Sequence, residues 1–141
     1  SSMALGIKPY STQTESAFLT TLNHALDNVL NTNRRCIVQH EVSIAHVFDG
    51  NTEYSDLFYS GRFDFVVYEQ EYKGTDIPIL AIELDGKEHQ ENDIVMQRDA
   101  RKNEICRRHG FELIRVENSY ARRYNYIKDI LIQYFKSVKS Y

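Results

Sequence analysis

One stretch near the middle of the chain constrains the fold more than any other. It reads Ile-Leu-Ala-Ile-Glu-Leu-Asp-Gly-Lys-Glu-His and covers residues 79–89. Its apolar beginning predicts a buried strand. Because side chains on a strand alternate between two faces, Glu83, Asp85 and Lys87 fall on one face. The sequence therefore predicts three charged side chains together at the end of a core strand.

Two interpretations of this charged strand end stay open on the stretch alone. Buried carboxylates are costly unless they are paired or bound to a metal, so the cluster can be a metal site. A strand that runs out into solvent would show the same charges at its exposed end. The other elements of the chain have to decide between the two.

The composition indicates a globular protein of one domain. The chain has 141 residues, of which 42% are hydrophobic and 26% are charged, enough for a real core. No apolar run reaches membrane-spanning length and no signal-peptide pattern is present, so we expect a cytoplasmic protein with no membrane contact. Cys36 and Cys106 are too few for a disulfide framework and are expected to be buried free thiols.

Charge is distributed unevenly along the chain. Residues 1–97 carry 6 Lys and Arg against 15 Asp and Glu, whereas residues 98–141 carry 11 against 5. Acidic residues that bind a metal, next to basic residues that bind phosphates, would suit a metal-dependent nuclease. A chance segregation of surface charge is the alternative.

Hydrophobic periodicity predicts the element order αβββαβα. The predicted helices cover residues 12–30, 93–109 and 126–138, and the predicted strands cover 36–48, 62–68, a central strand opened by Pro78, and 111–116. The helix at 93–109 is expected to be capped by Asn92 or Asp93 and stopped by Gly110. Residues 1–11 are interpreted as a tag remnant and N-terminal arm, and residues 12–141 as a single α/β domain with a four-stranded mixed sheet flanked by helices.

Three further charged side chains lie on apolar elements. Asp64 is a lone carboxylate in an aromatic and β-branched strand, and Asp99 and Lys102 share a helix face with Cys106. Glu15 fits the fourth position of a capping box that begins at Thr12, and the alternative is that it reaches inward to a metal or its water. For Asp99 and Lys102 the alternative is a solvated ion pair.

At this point the chain resembles the PD-(D/E)XK restriction-endonuclease-like superfamily, and most closely the small domains related to very-short-patch-repair endonucleases. The resemblance is carried by Arg-Phe-Asp-Phe at 62–65, Ile-Glu-Leu-Asp-Gly-Lys-Glu-His at 82–89, Arg-Asp-Ala-Arg-Lys at 98–102 and His-Gly-Phe-Glu-Leu-Ile-Arg-Val at 109–116. It covers about residues 12–116 and implies the αβββαβ core of that superfamily.

The resemblance implies a metal site. Asp64 matches the first metal-binding aspartate, Glu83 matches the acid of the central strand, and the main-chain carbonyl of Leu84 is expected on the metal. The motif then requires a lysine two residues after the acid, where this chain has Asp85. If Asp85 is itself the acid, Lys87 completes the pattern, and both assignments stay open. Mg²⁺ is the expected ion, with Mn²⁺ as a substitute.

The implied function is Mg²⁺-dependent hydrolysis of DNA phosphodiester bonds by metal-activated water. Lys87 is the preferred catalytic cation, and Lys102 is the alternative. His89 resembles the histidine of the very-short-patch branch near the scissile phosphate, unless it is a turn histidine bonded to a carboxylate. The expected contacts with DNA are basic residues of the C-terminal third, namely Arg98, Arg101, Arg107, Arg108, Arg122 and Arg123.

Two other functions share this sequence pattern. The first is a catalytically weak nuclease fold that serves as a DNA- or protein-binding module of a larger DNA-processing protein. The second is a structural domain in which the acids are ion-paired with the basic helix. Fold alone does not decide among the three.

Overall fold

The computed structural model describes residues 9–31, 33–48, 58, 60–71, 73–86 and 92–138. The helices are α1 (Pro9–Val29), α2 (Ile44–Val47), α3 (Asp93–Arg108) and α4 (Tyr124–Val138), and a 3-10 helix covers Asn118–Tyr120. The strands are β1 (Cys36–Ser43), β2 (Arg62–Gln70), β3 (Asp76–Asp85) and β4 (Glu112–Glu117). The α/β class and the four-stranded mixed sheet of the prediction are confirmed.

Two compact units make up the chain. The helical unit consists of Ser1–Asn33 and Asn118–Tyr141, and the sheet unit consists of Arg34–Glu117. In the helical unit α1 packs against α4. Buried apolar side chains lie on both helices: Phe18, Leu22, Ala25 and Leu26 on α1, and Ile127, Leu131 and Phe135 on α4. The helix predicted over residues 12–30 thus has its apolar side chains on one packed face.

The start of α1 differs from the prediction. The helix begins at Pro9, so Thr12 lies inside it and the capping box predicted there is wrong. Proline suits the first turn because its fixed φ is already helical and its missing N–H has no partner there to lose. Glu15 is consequently an interior helix residue and not a capping carboxylate.

The sheet unit is built on the strand order β1-β2-β3-β4. The first two pairings are antiparallel, and β3 pairs with β4 in parallel. Parallel neighbours need a crossover, which α3 supplies. Interior strand β3 buries Leu80, Ala81 and Ile82, the apolar run that predicted it.

One face of the sheet is covered by α3. Asn92 caps this helix, because its Oδ1 accepts hydrogen bonds from the Ile94 and Val95 N–H groups at 2.9 and 3.1 Å. Gly110 follows the end of the helix at φ 63°, so the predicted cap and stop are both confirmed. Ile105 and Cys106 are the buried side chains of α3 and join the core of the sheet unit.

The first strand is shorter than predicted. β1 ends at Ser43, and residues 44–47 form the short helix α2. Ile44 and Val47 are both buried at helical spacing, and the Ile44 N–H donates to the Gly61 carbonyl at 3.0 Å, which ends the pairing with β2. The alternation of apolar and polar residues in the sequence continues past Ser43. The burial of Ile44 and Val47 favours a turn of helix there instead of a longer strand.

The connection from β2 to β3 is a tight turn that is shorter than the interval between the two predicted strands. The Glu71 N–H donates to the Thr75 carbonyl at 2.8 Å, and Gly74 adopts φ 85°. β3 therefore begins at Asp76, before Pro78. The pairing register shifts opposite Pro78, between Val67 and Tyr68, where a residue without an N–H is tolerated.

Candidate metal centre

Asp64 and Glu83 each bond the main chain of the opposite strand at the point where the regular pairing of β2 and β3 ends. The last regular pair is Phe65 with Ile82. Beyond it, the Asp64 N–H donates to Glu83 Oε2 at 2.8 Å, and the Leu84 N–H donates to Asp64 Oδ2 at 2.8 Å. Side-chain oxygens therefore replace the main-chain ladder at this point. The two carboxylates are fixed side by side by the backbone that carries them.

The carbonyl of Leu84 is the third predicted ligand, and the N–H of the same residue bonds Asp64. Two carboxylates and a carbonyl are hard oxygen donors of the kind that Mg²⁺ and Mn²⁺ prefer. The donor set of Asp64, Glu83 and Leu84 therefore fits such an ion.

Lys102 of α3 meets this pair of carboxylates. Its Nζ donates to Glu83 Oε1 at 2.9 Å and to the Arg62 carbonyl at 2.7 Å. The Lys102 side chain is 14% exposed and that of Glu83 is 2% exposed. Removal of either charge from such a buried pair leaves the other uncompensated. The helix face shared by Lys102, Asp99 and Cys106 points inward, as predicted.

Arg115 of β4 engages the other two carboxylates. Its Nη1 lies 3.3 Å from Asp85 Oδ1, 3.4 Å from Asp99 Oδ1 and 4.0 Å from Glu83 Oε1. β4 is paired in parallel with β3 so that Arg115 lies opposite Glu83. Asp85 is thus drawn toward β4, whereas Glu83 faces Asp64. The assignment of Asp85 to the metal stays a prediction.

Acidic and basic side chains alternate in this centre. Among the described residues, the carboxylates of Asp64, Glu83, Asp85 and Asp99 lie with the cations of Lys102 and Arg115 at the end of β3.

The negative charge of Glu83 affects the pKa of a neighbouring thiol, that of Cys106. Burial, together with the negative charge of Glu83, raises the pKa of Cys106 to about 12 against the opposing effect of Arg115 and Lys102. Cys106 is a buried free thiol, as expected, and Cys36 is a half-buried one. Neither side chain is prepared to act as a thiolate at neutral pH.

The other three predicted catalytic residues are Lys87, His89 and Glu15. Lys87 and His89 lie outside the described residues. Glu15 lies in α1, which belongs to the helical unit, and its contact with a metal stays a prediction. Of the predicted catalytic residues, Lys102 is the one that the described part of the sheet unit brings to Asp64 and Glu83.

The predicted DNA-binding arginines fall into two groups. Arg98, Arg101, Arg107 and Arg108 are exposed on α3. Arg107 and Arg108 both approach Glu104, the first by a hydrogen bond of 3.1 Å from Nε and the second at 3.9 Å. Arg122 and Arg123 are exposed in the helical unit, where the Arg123 guanidinium lies 4.5 Å from the centre of the Tyr120 ring.

Arg115 and Asn103 are the residues of this centre to which the sequence assigned no role. Arg115 belongs to the His-Gly-x-x-x-x-Arg end of the quoted motif, and it is a lone charge between Ile114 and Val116. The same signal, a charge inside an apolar strand, identified Asp64. Nothing local identifies Asn103, because its contact depends on how α3 lies on β4.

The fold and the centre define an α/β domain with a carboxylate and lysine cluster at the end of its central strands. The chain belongs to the DUF2726 family, which is described as a protein of unknown function and whose model matches residues 7–133. No curated protein and no solved structure gives a significant match. None of the helices in the described part of the chain is long and apolar enough to cross a bilayer.

Proposed function

We propose that the sheet unit is a Mg²⁺-dependent nuclease domain that hydrolyses DNA phosphodiester bonds, with a centre like that of the PD-(D/E)XK superfamily. The observation that carries this proposal is the pair of hydrogen bonds between the strand ends, from the Asp64 N–H to Glu83 and from the Leu84 N–H to Asp64, with Lys102 2.9 Å from Glu83. It combines adjacent oxygen donors and an ammonium group at one strand end.

Each residue of the centre has a role in this proposal. Asp64, Glu83 and the Leu84 carbonyl would hold the ion, which when bound supplies a Lewis acid and lowers the pKa of a bound water. Lys102 brings a positive charge to the place where negative charge develops on the phosphate. Because Glu83 bonds Lys102 and Asp64 at once, it sets the distance between the cation and the oxygen donors.

DNA is the proposed substrate because exposed arginines lie on the helix that carries Lys102. Arg98 and Arg101 are both exposed on α3. Their contacts with phosphates would make affinity fall steeply with salt. We place the protein in the cytoplasm, since two free thiols suit a reducing compartment.

Nicking of a supercoiled plasmid tests the proposal. The wild-type chain should nick the plasmid in Mg²⁺ or Mn²⁺ but not in a chelator. Asp64→Asn should abolish nicking while it keeps an oxygen to accept the Leu84 N–H, and Asp76→Asn is the matched control on an exposed strand end. Nicking that persists in Asp64→Asn, or that no divalent metal supports, would refute the proposal.

A binding module is the second candidate, and one observation favours it. Lys102 and Arg115 already compensate part of the buried negative charge, so this network can be stable without an ion. In that case the chain should bind DNA equally well in chelator and in Mg²⁺, and should leave the plasmid intact.

A further inference from the structure

Arg115 joins three elements of the sheet unit through one guanidinium group. It rises from β4 beside Asp85 at the end of β3, and it reaches α3 at two positions one turn apart, Asp99 and Asn103. Its Nη2 donates to the Asp99 carbonyl and to Asn103 Oδ1, both at 3.1 Å, and its Nε lies 3.3 Å from Asn103 Oδ1. The side chain is 22% exposed, so these bonds are partly shielded from water.

The turn of α3 that Arg115 holds is the turn that carries Lys102. Lys102 lies between Asp99 and Asn103 in sequence and reaches down to Glu83 from the same helix. The buried side chains of α3, Ile105 and Cys106, lie in its second half. In the first half Ile94 and Met96 are 67% and 46% exposed and Val95 is half-buried, so the full apolar burial of this helix comes after Lys102. Arg115 attaches the turn between the two halves to the end of β3.

The chemistry of the contact requires arginine. A guanidinium group presents several donors in a rigid plane, and here it bonds a side-chain amide, a main-chain carbonyl and two carboxylates together. A lysine at this position would keep the charge near Asp85 but could not bridge the helix positions. A lysine substitution therefore separates the effect of the planar hydrogen-bonding group of Arg115 from the effect of its charge.

We propose that Arg115 is a positioning residue for the nuclease centre: it clamps the Asp99–Asn103 turn of α3 onto the end of β3 and thereby sets Lys102 on Glu83. The proposal rests on the proposed function for its effect on cleavage. Its structural claim concerns Lys102 and can be measured without any cleavage. It also gives a role to the arginine that ends the quoted sequence motif.

Two substitutions interrupt the clamp from opposite sides. Arg115→Lys keeps the charge and removes the planar bridge, and Asn103→Ala removes part of the bridge without a change in charge. Arg35→Lys, on an exposed arginine of the same unit, is the matched control. The first readout is the NMR signal of the Lys102 ammonium group, assigned by its loss in Lys102→Met. Hydrogen bonds to Glu83 and Arg62 should slow the exchange of its protons with water and keep the signal visible.

The ammonium signal should broaden or vanish in Arg115→Lys and in Asn103→Ala, and stay unchanged in Arg35→Lys. The second readout is single-turnover cleavage at saturating Mg²⁺. Both clamp variants should lose about 10- to 100-fold in rate, the usual cost of removing a residue that orients a metal centre, while the DNA concentration for half-saturation stays within about twofold. Urea unfolding of each variant shows that it is folded.

The two proposals fail in different ways. An unchanged Lys102 signal in both clamp variants would overturn the positioning role, and so would an equal loss of signal in Arg35→Lys. If the wild-type chain cleaves no DNA in Mg²⁺ or Mn²⁺, the proposed function is wrong. The NMR comparison would then still decide whether Arg115 holds Lys102 in place.

Discussion

The two ends of β2 each carry a carboxylate that is held by hydrogen bonds, but they differ in charge balance and in burial. Near the C-terminal end, Glu69 accepts bonds from Arg34 Nε and Nη2, both at 2.8 Å, and each side chain is 25% exposed. At the other end, Asp64 lies beside Glu83, which is 2% exposed and also bonds Lys102.

The difference separates a structural ion pair from a candidate site. Arg34 and Glu69 neutralise each other in a planar, two-bond contact, so that pair needs no further ligand. The Asp64 end brings several carboxylates of the described residues close to Lys102 and Arg115, and burial of such groups costs free energy unless they are paired or bound to an ion. The same strand therefore offers an internal control for every test of the metal centre.

The largest expected effect is on the rate of DNA cleavage by variants of the two candidate lysines. Lys102→Met should lower single-turnover cleavage by about 10²–10³-fold, because it removes the cation 2.9 Å from Glu83. Lys87→Met should stay within a few-fold of the wild type. This outcome would replace the preference for Lys87 and assign Glu83 as the motif acid. A large loss in Lys87→Met with little change in Lys102→Met would instead favour Asp85 as the acid.

The sequence could not decide between these lysines, for a physical reason. Alternation along β2 and β3 placed Asp64 and Glu83 on facing positions, and the structure brings the two side chains together. Lys102 arrives from a helix whose position depends on packing with β4, which no local pattern records. The capping box at Thr12 failed similarly, because the helix extends back to Pro9.

The second largest effect is on the free energy of unfolding in the absence of metal. Lys102→Met should destabilise the chain by about 3–5 kcal/mol, the cost of leaving one member of a buried pair unpaired. The double variant Glu83→Gln/Lys102→Met should recover most of this loss. Arg34→Met, at the other end of β2, should cost about 1 kcal/mol or less because its pair is partly exposed. If urea unfolding shows equal losses of stability in Lys102→Met and Arg34→Met, the proposed difference between the two ends of β2 is wrong.

The reactivity of the Cys36 thiol measures the effect of the Glu69 charge at the C-terminal end of β2. Burial, together with the charge of Glu69, raises the pKa of this thiol from its ordinary 9.0 to about 11 against the effect of Arg34. The native thiolate fraction near pH 8 should be about 100-fold lower than in the unfolded chain. Glu69→Gln should accelerate labelling of Cys36 by a thiol reagent, and Glu71→Gln is the control. A labelling rate insensitive to Glu69→Gln would show that its charge does not reach the thiol.

The smallest effect concerns the pH dependence of stability at the same end. The hydrogen bond from Arg34 lowers the pKa of Glu69 below its ordinary value of 4.5. The stabilisation is therefore complete above pH 4.5 and is lost as the pH falls through the lowered pKa. Glu69→Gln should cost about 0.5–1 kcal/mol at pH 7 after allowance for solvent screening. The difference in unfolding free energy between this variant and the wild type should become smaller in acid. A difference that becomes larger in acid would contradict a lowered pKa of Glu69.

Calorimetric titration with Mn²⁺ tests the central claim most directly, because it needs neither DNA nor activity. The wild-type chain should bind about one ion, because the proposed oxygen donors form a single site. Asp64→Asn should weaken that binding at least tenfold, while Glu69→Gln at the other end of the strand should leave it unchanged. Absence of binding to the wild type, or equal affinity in all three proteins, would contradict a metal centre at Asp64 and Glu83.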